Sequence, residues 1–385
     1  MSFRESDERR ALRLAVADLG RRYGHDYVVR QVRKGEPLDE LWHEAGKQGF
    51  LGVNLPERYS GGGGGLYDLS LVLEELSTAG CTLLMMVVSP AICGTIIARF
   101  GTDEQKQRWL PGIAGGERIM AFAITEPDAG SNSHKITTTA RRDNRDWVLS
   151  GRKVFISGVD QADAVLVVGR TEDARTGKLK PALYVVPTDA NGFEYRPIDM
   201  DLAMPDKQFM LYLDDVRLPA DALVGAEDAA LLQLFAGLNP ERIMAAASSI
   251  GLGRYALDKA VSYVNTREVW GRPIGTHQGL AHPLAQIKIE LELAKLMMQK
   301  AATLYDDGDD MGAGEAANMA KYAAAEAATR SVDQAIQAHG GNGLASEYGL
   351  GTLLAASRVG RIAPVSREMI LNFVAQNTLG MPRSY

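Results

Sequence analysis

The sequence is poor in cysteine, with only Cys81 and Cys93 among 385 residues. Both lie in one apolar stretch, without C-x-x-C spacing and without a neighbouring histidine. The sequence therefore predicts neither a disulfide framework nor a cysteine-ligated zinc site. The six histidines form no HExxH motif, and the one close pair, His277 and His282, has a spacing that suits no single helix face. Metal catalysis thus has no visible ligand set.

Excess positive charge and a secretory signal are also lacking. The net charge of −6 and the pI near 5.6 argue against nucleic acid as a partner. The N-terminal residues contain no apolar signal core, so we expect a cytoplasmic protein. An uncharged run at 76–98 is long enough to span a bilayer, but it contains Gly80, Pro90 and several hydroxyl residues. This composition is typical of a buried core helix, so we expect no membrane segment.

Glycine, in contrast, is abundant, with 40 residues and a run of five at 61–65. The average share of glycine in proteins is roughly 7%, and this chain exceeds it. Glycine is needed where backbones approach closely or turn tightly. We therefore expect close backbone contacts around this run.

The hydrophobic pattern divides the chain into three blocks and predicts an α+β fold. Helical spacing extends to about residue 116 and predicts helices near 5–33, 38–49, 66–79, 82–100 and 103–115. Short β-branched runs follow, and they predict strands at IMAFAITE, HKITTTARR, WVLSGRKVFIS, AVLVVGR, ALYVVP and FMLYLDDV.

Long helices return in the last block, where 284–305 and 315–338 are two of them, and they suggest an antiparallel four-helix bundle. The predicted domains are an N-terminal all-α domain at 1–116, a middle antiparallel β domain at 117–225 and a C-terminal helical bundle at 226–385. The alanine-rich segment AANMAKYAAAEAATR could pack in the chain's own core or in an oligomer, and the sequence leaves both open.

Three segments carry residues suited to binding a polar, planar ligand. AITEPDAGSN at 123–132 follows a predicted strand, and its hydroxyls and small turn could present donors to a planar or phosphate-bearing ligand. KVFIS at 153–157 places an aromatic and a hydroxyl on a second strand. QAHGGNGLASEY at 337–348 ends a helix in a glycine-rich turn, which by itself also fits a helix C-cap.

Together with NLPERYSGGGGG, TDEQKQRWLPGIAGGE and REVWGRPIGTHQ, these segments resemble the motifs of the acyl-CoA dehydrogenase family over essentially the whole chain. The resemblance implies the fold of that family, with FAD between the β domain and the C-terminal bundle. It also implies an acyl-CoA substrate, an electron-transferring flavoprotein as electron acceptor, and a homotetramer built as a dimer of dimers. The segment 267–278 is similar to the part of the family that meets FAD across a subunit boundary.

The resemblance assigns binding residues position by position. Those expected at the flavin are Phe122, Ile124, Thr125, Gly130, Ser131, Phe155, Ile156 and Ser157. Those expected at the ADP part, or matching further cofactor positions near the C-terminus, are Arg267, His277, Gln278, Gln337, Gly340, Gly341, Ser366 and Glu368. Those expected at the substrate are Ser131, Asn239, Arg242, Met85 and Ser89. Phe155 replaces a tryptophan usual in the family, which keeps an aromatic face but loses an N–H donor.

The implied reaction is α,β-dehydrogenation of an acyl-CoA thioester, which needs a carboxylate as general base. The family usually places that glutamate after its second signature, where this chain reads RIAPVSRE and has Pro364. A minority resembling isovaleryl-CoA and long-chain acyl-CoA dehydrogenases carries it in an ERxxxA context, which Glu241 in NPERIMAAA matches. We expect Asn239 to cap a helix, Pro240 to occupy its first position and Glu241 to lie in its first turn.

Two other interpretations of the base remain open from the residues alone. Glu241 could simply decorate a helix start, and Glu368 is a second, weaker candidate for the base. Pro364 also removes a backbone N–H that helps to hold the thioester oxygen in the family. Val365 could donate in its place, turnover could be slow, or the chain could be a degenerate subunit of a heteromeric enzyme. The segment LLAAS, where the family usually has an arginine and an aspartate, also favours a degenerate subunit. An enzyme of the family that uses oxygen is a further alternative.

Overall fold

The computed structural model describes residues 4–173, 176–226 and 230–383. The helices before the first strand are α1 (Asp7–Lys34), α2 (Asp39–Lys47), α3 (Leu66–Thr78), α4 (Leu84–Met86), α5 (Thr95–Phe100) and α6 (Asp103–Gly115). A π-helical turn, Val87–Gly94, joins α4 to α5. The helices after the sheet are α7 (Ala230–Thr266), α8 (Gln278–Asp306), α9 (Asp310–His339), α10 (Leu353–Ile362) and α11 (Arg367–Phe373). The helices before the sheet follow the periodicity of the sequence to within a few residues.

The middle block is one mainly antiparallel sheet. Its strands are β1 (Met120–Ala123), β2 (Thr139–Asp143), β3 (Asp146–Ser157), β4 (Ala164–Glu172), β5 (Leu179–Pro187), β6 (Phe193–Ile198), β7 (Gln208–Leu218) and β8 (Leu223–Val224). Their order is β6-β7-β3-β2-β4-β5-β8, and β1 adds to β4. The predicted domain bounds fall between α6 and β1 and between β8 and α7.

Strands β1 and β6 differ from the sequence prediction. Strand β1 runs parallel to β4, since Met120 is opposite Ala164 and Ala123 is opposite Val167. A parallel pair needs a long crossover, and the segment containing β2 and β3 supplies it. Strand β6 has no match among the predicted runs. Its residues FEYRPI are mostly exposed and include a proline, so they lack the alternation of a half-buried strand.

The five-glycine run makes the close backbone contacts that its composition predicts. A Cβ on Gly61 would lie 2.1 Å from the Leu55 carbonyl oxygen, and one on Gly65 would lie 2.2 Å from Asp306 Oδ2. Asp306, on α8, accepts hydrogen bonds from the Leu66 and Tyr67 amides at 2.7 and 3.0 Å. The run therefore lets a carboxylate from the C-terminal block cap the first turn of α3.

The uncharged run at 76–98 is divided rather than forming one helix. It includes the end of α3, a loop, α4 and most of the π-helical turn, and Pro90 lies inside that turn. Most of its side chains are buried in the protein core. Among the helices that the structure describes, none is both long and apolar enough to cross a membrane.

Helices α7, α8 and α9 pack against one another, and α7 and α8 also pack against α3. Buried Glu74, on α3, accepts hydrogen bonds from Arg254 of α7 at 2.7 Å and from Lys295 of α8 at 2.8 Å. The alanine-rich face of α9 is buried within the chain, including Ala313, Ala316, Ala317, Ala320 and Ala324. The close packing predicted for this face therefore serves the chain's own core.

Candidate active site

Glu241 lies inside α7, not at its start. The helix begins at Ala230 and passes through Pro240, so the predicted first turn at Asn239–Glu241 is wrong. The preceding segment is apolar and packs on the π-helical turn and α5, where a Cβ on Gly237 would lie 2.5 Å from Ile96 Cδ1. This packing extends the helix through a proline that usually marks a boundary. The Asn239 side chain donates to the Asp310 carbonyl oxygen at 3.0 Å instead of capping α7.

Burial controls the charge of Glu241. Its side chain is partly buried, and desolvation raises its pKa to about 7, although the cations of Arg242 and Lys321 oppose that rise. The helix-dipole effect expected at a helix start would have lowered the pKa, so the two environments predict opposite shifts. A carboxyl group that titrates near neutral pH is suited to accept a proton from a weak acid.

The charge of Glu241 is felt at Cys93, a residue that contacts strand β1. Burial raises the pKa of the Cys93 thiol well above its usual value, and the nearby Glu241 carboxylate adds to this rise. The same thiol donates to the Ala121 carbonyl oxygen of β1 at 3.5 Å. Cys93 belongs to the π-helical turn, which lies between α7 and β1. Helix α7, which carries the predicted base, and β1, the first predicted flavin strand, therefore both contact this turn.

The Arg242 side chain is held by two hydrogen bonds, and its Nε has no partner among the described residues. Its Nη1 donates to the Leu238 carbonyl oxygen at 3.2 Å and to Asn239 Oδ1 at 3.3 Å. Its Nε is buried and has no hydrogen-bond partner among the described residues. Burial lowers the pKa of Arg242, and Glu241 opposes this effect. This arrangement leaves an N–H available for a ligand near Glu241.

The loop at 363–366 is attached to the same region through Lys321. The Lys321 side chain is buried on α9, and its ammonium donates to the Val365 carbonyl oxygen. Burial lowers the pKa of Lys321 to about 8, with Arg242 adding to that effect and Glu241 opposing it. Lys321 was not among the predicted site residues. A lysine among the alanines of the buried face of α9 was the available signal.

The second candidate base occupies a different environment. Ser366 caps α11 by accepting a hydrogen bond from the Met369 amide at 3.3 Å. Glu368 follows in the first turn, and its side chain is 74% exposed. It therefore has the position of a helix-start acid exposed to water.

The predicted flavin segments meet where β1 ends beside β3. The Val154 amide donates to the Thr125 carbonyl oxygen at 3.0 Å. Phe155 follows with φ of 56°, and it is 56% exposed. Beyond it, Ser157 and the side chain of Gln208 exchange hydrogen bonds at 3.0 and 3.1 Å. Phe122 and Ile156 are buried behind this surface, whereas Gly130 and Ser131 are exposed in the adjoining loop.

A buried ion pair lies under this surface, and its two residues were not among the predicted site residues. Lys153 Nζ donates to Glu126 Oε1 at 2.9 Å and to the Ile124 carbonyl oxygen at 3.0 Å. Glu126 belongs to the segment AITEPDAGSN and Lys153 to the segment KVFIS, so opposite charges in these two segments were the available signal. Burial would raise the pKa of Glu126, but hydrogen bonds from Thr138 and Thr137 and the charge of Lys153 lower it to about 2.

The residues predicted for the ADP part gather at the opposite end of α7. The hairpin of β9 (Glu268–Val269) and β10 (Arg272–Pro273) leads from Arg267 to His277 and Gln278 at the start of α8. Nearby, His339 at the end of α9 stacks on Tyr263 with ring centroids 4.1 Å apart. Tyr263 follows Glu241 by 22 residues of helix, a separation of about 33 Å.

The residues at each of these two places have the chemistry to bind one half of an FAD molecule. At the ADP end, His277 Nε2 is buried without a hydrogen-bond partner in the described chain, beside the N-terminus of α8. Gly340 and Gly341 have no atom within 4 Å of an added Cβ, and Arg267 and Gln337 are exposed. The accessible backbone of the two glycines, the helix N-terminus and the Arg267 guanidinium are groups suited to binding a pyrophosphate. At the flavin end, an exposed aromatic ring and hydroxyl groups are available.

Met85 and Ser89 lie inside the protein core. Met85 packs against the glycine after Ser157, since a Cβ on Gly158 would lie 2.4 Å from its sulfur. Ser89 Oγ accepts a hydrogen bond from the Met120 amide at 3.1 Å. Their contact with an acyl chain stays a prediction, as do the other assignments of residues to cofactor and substrate.

Family models for the three domains of acyl-CoA dehydrogenases match the chain in order. The N-terminal domain model matches residues 6–117, the middle domain model matches 121–216 and the C-terminal domain model matches 232–379. Together they cover most of the chain, including β1, α7 and the loop at 363–366.

Known proteins are similar over nearly the full length. Acyl-CoA dehydrogenase FadE12 of Mycobacterium tuberculosis is 71% identical over 384 residues, covering 100% of this chain and 99% of the relative. The mitochondrial long-chain specific acyl-CoA dehydrogenase of Sus scrofa is 32% identical over 346 residues, covering 89% and 80%. The structure of glutaryl-CoA dehydrogenase from Mycobacterium smegmatis in complex with FADH2 superposes with a TM-score of 0.90 at 27% identity, covering 99% and 97%.

Proposed function

Because this chain belongs to the acyl-CoA dehydrogenase family, we propose that it converts an acyl-CoA thioester into the trans-2-enoyl-CoA and passes the electrons to an electron-transferring flavoprotein. The family is FAD-dependent, and the chain is an oxidoreductase acting on acyl-CoA. The proposal concerns the reaction product, the electron acceptor and the residues that act.

The environment of Glu241 is the observation that carries the proposed mechanism. Bound FAD supplies the acceptor for the hydride that leaves the β carbon. Glu241 removes the proton from the α carbon, because its desolvated carboxyl has a pKa of about 7. Arg242 keeps a buried, unpartnered Nε next to it among the described residues. That group is the donor we assign to the substrate near the base.

The thioester oxygen needs hydrogen-bond donors as negative charge develops on it. Pro364 has no backbone N–H, so we assign this role to the Val365 amide. Lys321 supports the assignment because its ammonium holds the Val365 carbonyl oxygen and restrains the loop. Glu368, in contrast, is too exposed to share the desolvation of Glu241.

We also propose that FAD is bound between two copies of the chain in a homotetramer. Two groups of predicted cofactor residues lie at opposite ends of α7 in one chain, and this separation supports a contribution from a neighbouring copy. An exposed apolar stripe on α8 supports association as well, since Ile289, Leu293 and Leu296 are 60%, 61% and 47% exposed. Their spacing of four and three residues places them on one face of the helix.

The mechanism is tested by anaerobic bleaching of the purified yellow protein with a panel of acyl-CoA thioesters of different chain length. Glu241→Gln keeps the size of the side chain but cannot accept the proton. We expect this variant to bind FAD and to bleach at least about 100-fold more slowly than the parent, the usual contribution of a general base.

Glu368→Gln is the companion variant, because Glu368 is the other candidate base, and we expect it to remain reducible. Equal bleaching of Glu241→Gln and the parent would show that the base is misassigned. A parent that never binds FAD would favour the degenerate-subunit alternative. A parent that bleaches and is then reoxidised by oxygen at catalytic rates would favour an oxidase.

A further inference from the structure

We propose that the buried ion pair of Glu126 and Lys153 is a positioning device that aims the Thr125 amide and the Phe155 ring at the flavin. The inference rests on the proposed FAD site and adds two positioning residues to it. Neither residue belongs to the predicted contact set, and both lie directly beneath it.

The Glu126 carboxylate is the fixed centre of the device. It is 4% exposed and accepts hydrogen bonds from the backbone amides of Thr137 and Thr138 at 2.6 and 2.9 Å. It also accepts from the two threonine hydroxyls at 2.8 and 2.6 Å and from Lys153. Five donors on one carboxylate leave it little freedom to move. The turn that leads to Gly130 and Ser131 is therefore anchored at its first residue.

Lys153 links the Glu126 carboxylate to the backbone that carries the predicted flavin contact Thr125. Its second acceptor is the Ile124 carbonyl oxygen at 3.0 Å. The C=O and N–H of one trans peptide point in opposite directions, so the next amide, that of Thr125, points away from Lys153. The Thr125 N–H donates no hydrogen bond within the described chain. It is thus a preorganised donor aimed out of the core.

The same lysine supports the backbone at Phe155. The ladder between β3 and β7 is irregular between Lys153 and Ile156, and Phe155 has φ of 56° there. Bulky residues seldom adopt this conformation, and it persists only where the surroundings enforce it. The buried Lys153 side chain and the Val154 amide, bound to Thr125 O at 3.0 Å, enforce it from both sides. The result is an aromatic side chain that is 56% exposed beside the Thr125 amide.

Packing alone does not require an ion pair at this place. Apolar residues of similar volume often serve equally well, because burying two charges is costly. The pair differs from an apolar substitute in one respect, since only a donor on Lys153 can hold the Ile124 carbonyl oxygen in this orientation. A positioning role therefore explains why charged groups are used.

The test compares Lys153→Met with Lys153→Arg and Glu126→Gln, by three properties of the bound flavin that need no substrate. These are the dissociation constant of FAD, the visible absorbance spectrum and the midpoint potential. We expect Lys153→Met to weaken FAD binding by about 10- to 100-fold, as loss of a supporting group typically does. We expect a more negative midpoint potential, since an aimed N–H favours the charge that reduction adds.

Lys153→Arg keeps a cationic donor and should restore most of the parent spectrum. Lys180→Met is the matched control, because Lys180 pairs with Asp173 near the far end of β4 and β5. It removes a different lysine–carboxylate pair from the same sheet and should leave all three flavin properties unchanged.

A purely structural pair would lower the melting temperature of Lys153→Met without changing the spectrum, the potential or the affinity for FAD, and this result would overturn the proposal. If Lys153→Met does not fold, Glu126→Gln decides the question by the same readouts, since it keeps the shape and removes the charge. A parent that binds no FAD would overturn both this inference and the proposed function. A parent that binds FAD normally beside a Lys153→Met variant with identical flavin properties overturns only this inference.

Discussion

At the scale of single residues, the titration of Glu241 predicts how the reaction rate depends on pH. Desolvation raises its pKa to about 7, and only the deprotonated carboxylate can accept a proton. The anaerobic reduction rate should therefore rise by about tenfold per pH unit below pH 7 and level off above it. Stopped-flow bleaching at saturating acyl-CoA between pH 5.5 and pH 9 measures the profile. A rate that is constant through pH 7 would contradict the assignment.

Lys321 should set the position of that profile. The described groups that influence Glu241 are Arg242 and Lys321, which lower its pKa, and its charge is felt in turn by the Cys93 thiol. Lys321→Met removes one cation, so the pKa of Glu241 should move upward and the rate profile should shift to higher pH. Lys321→Arg keeps the charge and should leave the midpoint close to that of the parent. A downward shift in Lys321→Met would show that the lysine acts on the rate by another route.

At the scale of elements, α6 shows how local sequence and tertiary contact combine. Thr102 caps the helix by accepting from the Gln105 amide at 3.2 Å, and Gln105 Oε1 accepts from the Thr102 amide at 3.0 Å. Gln105 Nε2 also donates to the carbonyl oxygens of Asp221 and Leu223 at 2.7 and 2.9 Å. One side chain therefore completes the cap and attaches α6 to the end of the sheet.

Substitutions at Thr102 and Gln105 test the stability that the cap and the attachment provide. Thr102→Ala should lower the free energy of unfolding by about 1 kcal/mol, whereas Thr102→Ser keeps the hydroxyl and should cost much less. Gln105→Leu should cost about 1–3 kcal/mol, because it removes half of the cap and the hydrogen bonds to the partly buried carbonyl contacts at Asp221 and Leu223. Urea denaturation followed by the fluorescence of Trp109, which is buried on α6, measures both. Equal losses in the alanine and serine variants would contradict the capping role.

The elements also show why some sequence predictions were wrong. Helix α7 continues through Pro240 because the preceding apolar residues pack on the π-helical turn and α5, which local preferences cannot reveal. Strand β6 was missed because it is an exposed edge strand, paired only with β7. The helix α6, with a cap and an apolar face in its own sequence, was predicted at its observed bounds.

At the scale of the whole molecule, the apolar stripe on α8 predicts a contact between copies. Ile289, Leu293 and Leu296 face away from the chain's own core, whereas Leu291 and Ala294 on the same helix are buried. Leu293→Glu places a charge in the centre of this stripe and should dissociate the oligomer, because a desolvated, unpaired charge is costly at an interface. Light scattering after size-exclusion chromatography measures the mass.

Leu14→Glu is the control for this experiment, since Leu14 is 67% exposed on a different helix, α1. It should leave the mass unchanged. A Leu293→Glu protein with the mass of the parent would show that the stripe is not an interface. Loss of FAD together with loss of the oligomer would support the proposed binding of FAD between copies.

The sequence by itself determined the order of α, β and α blocks, the family and the motifs that carry Thr125, Phe155 and Glu241, because these depend on periodicity and on residue types at given spacings. Only the tertiary structure decided how those residues work. The pKa of Glu241, the contact of Lys321 with the Val365 carbonyl oxygen and the pairing of Glu126 with Lys153 all join distant parts of the chain. Desolvation and hydrogen-bond geometry depend on which atoms surround a group in space, and local sequence patterns do not contain that information.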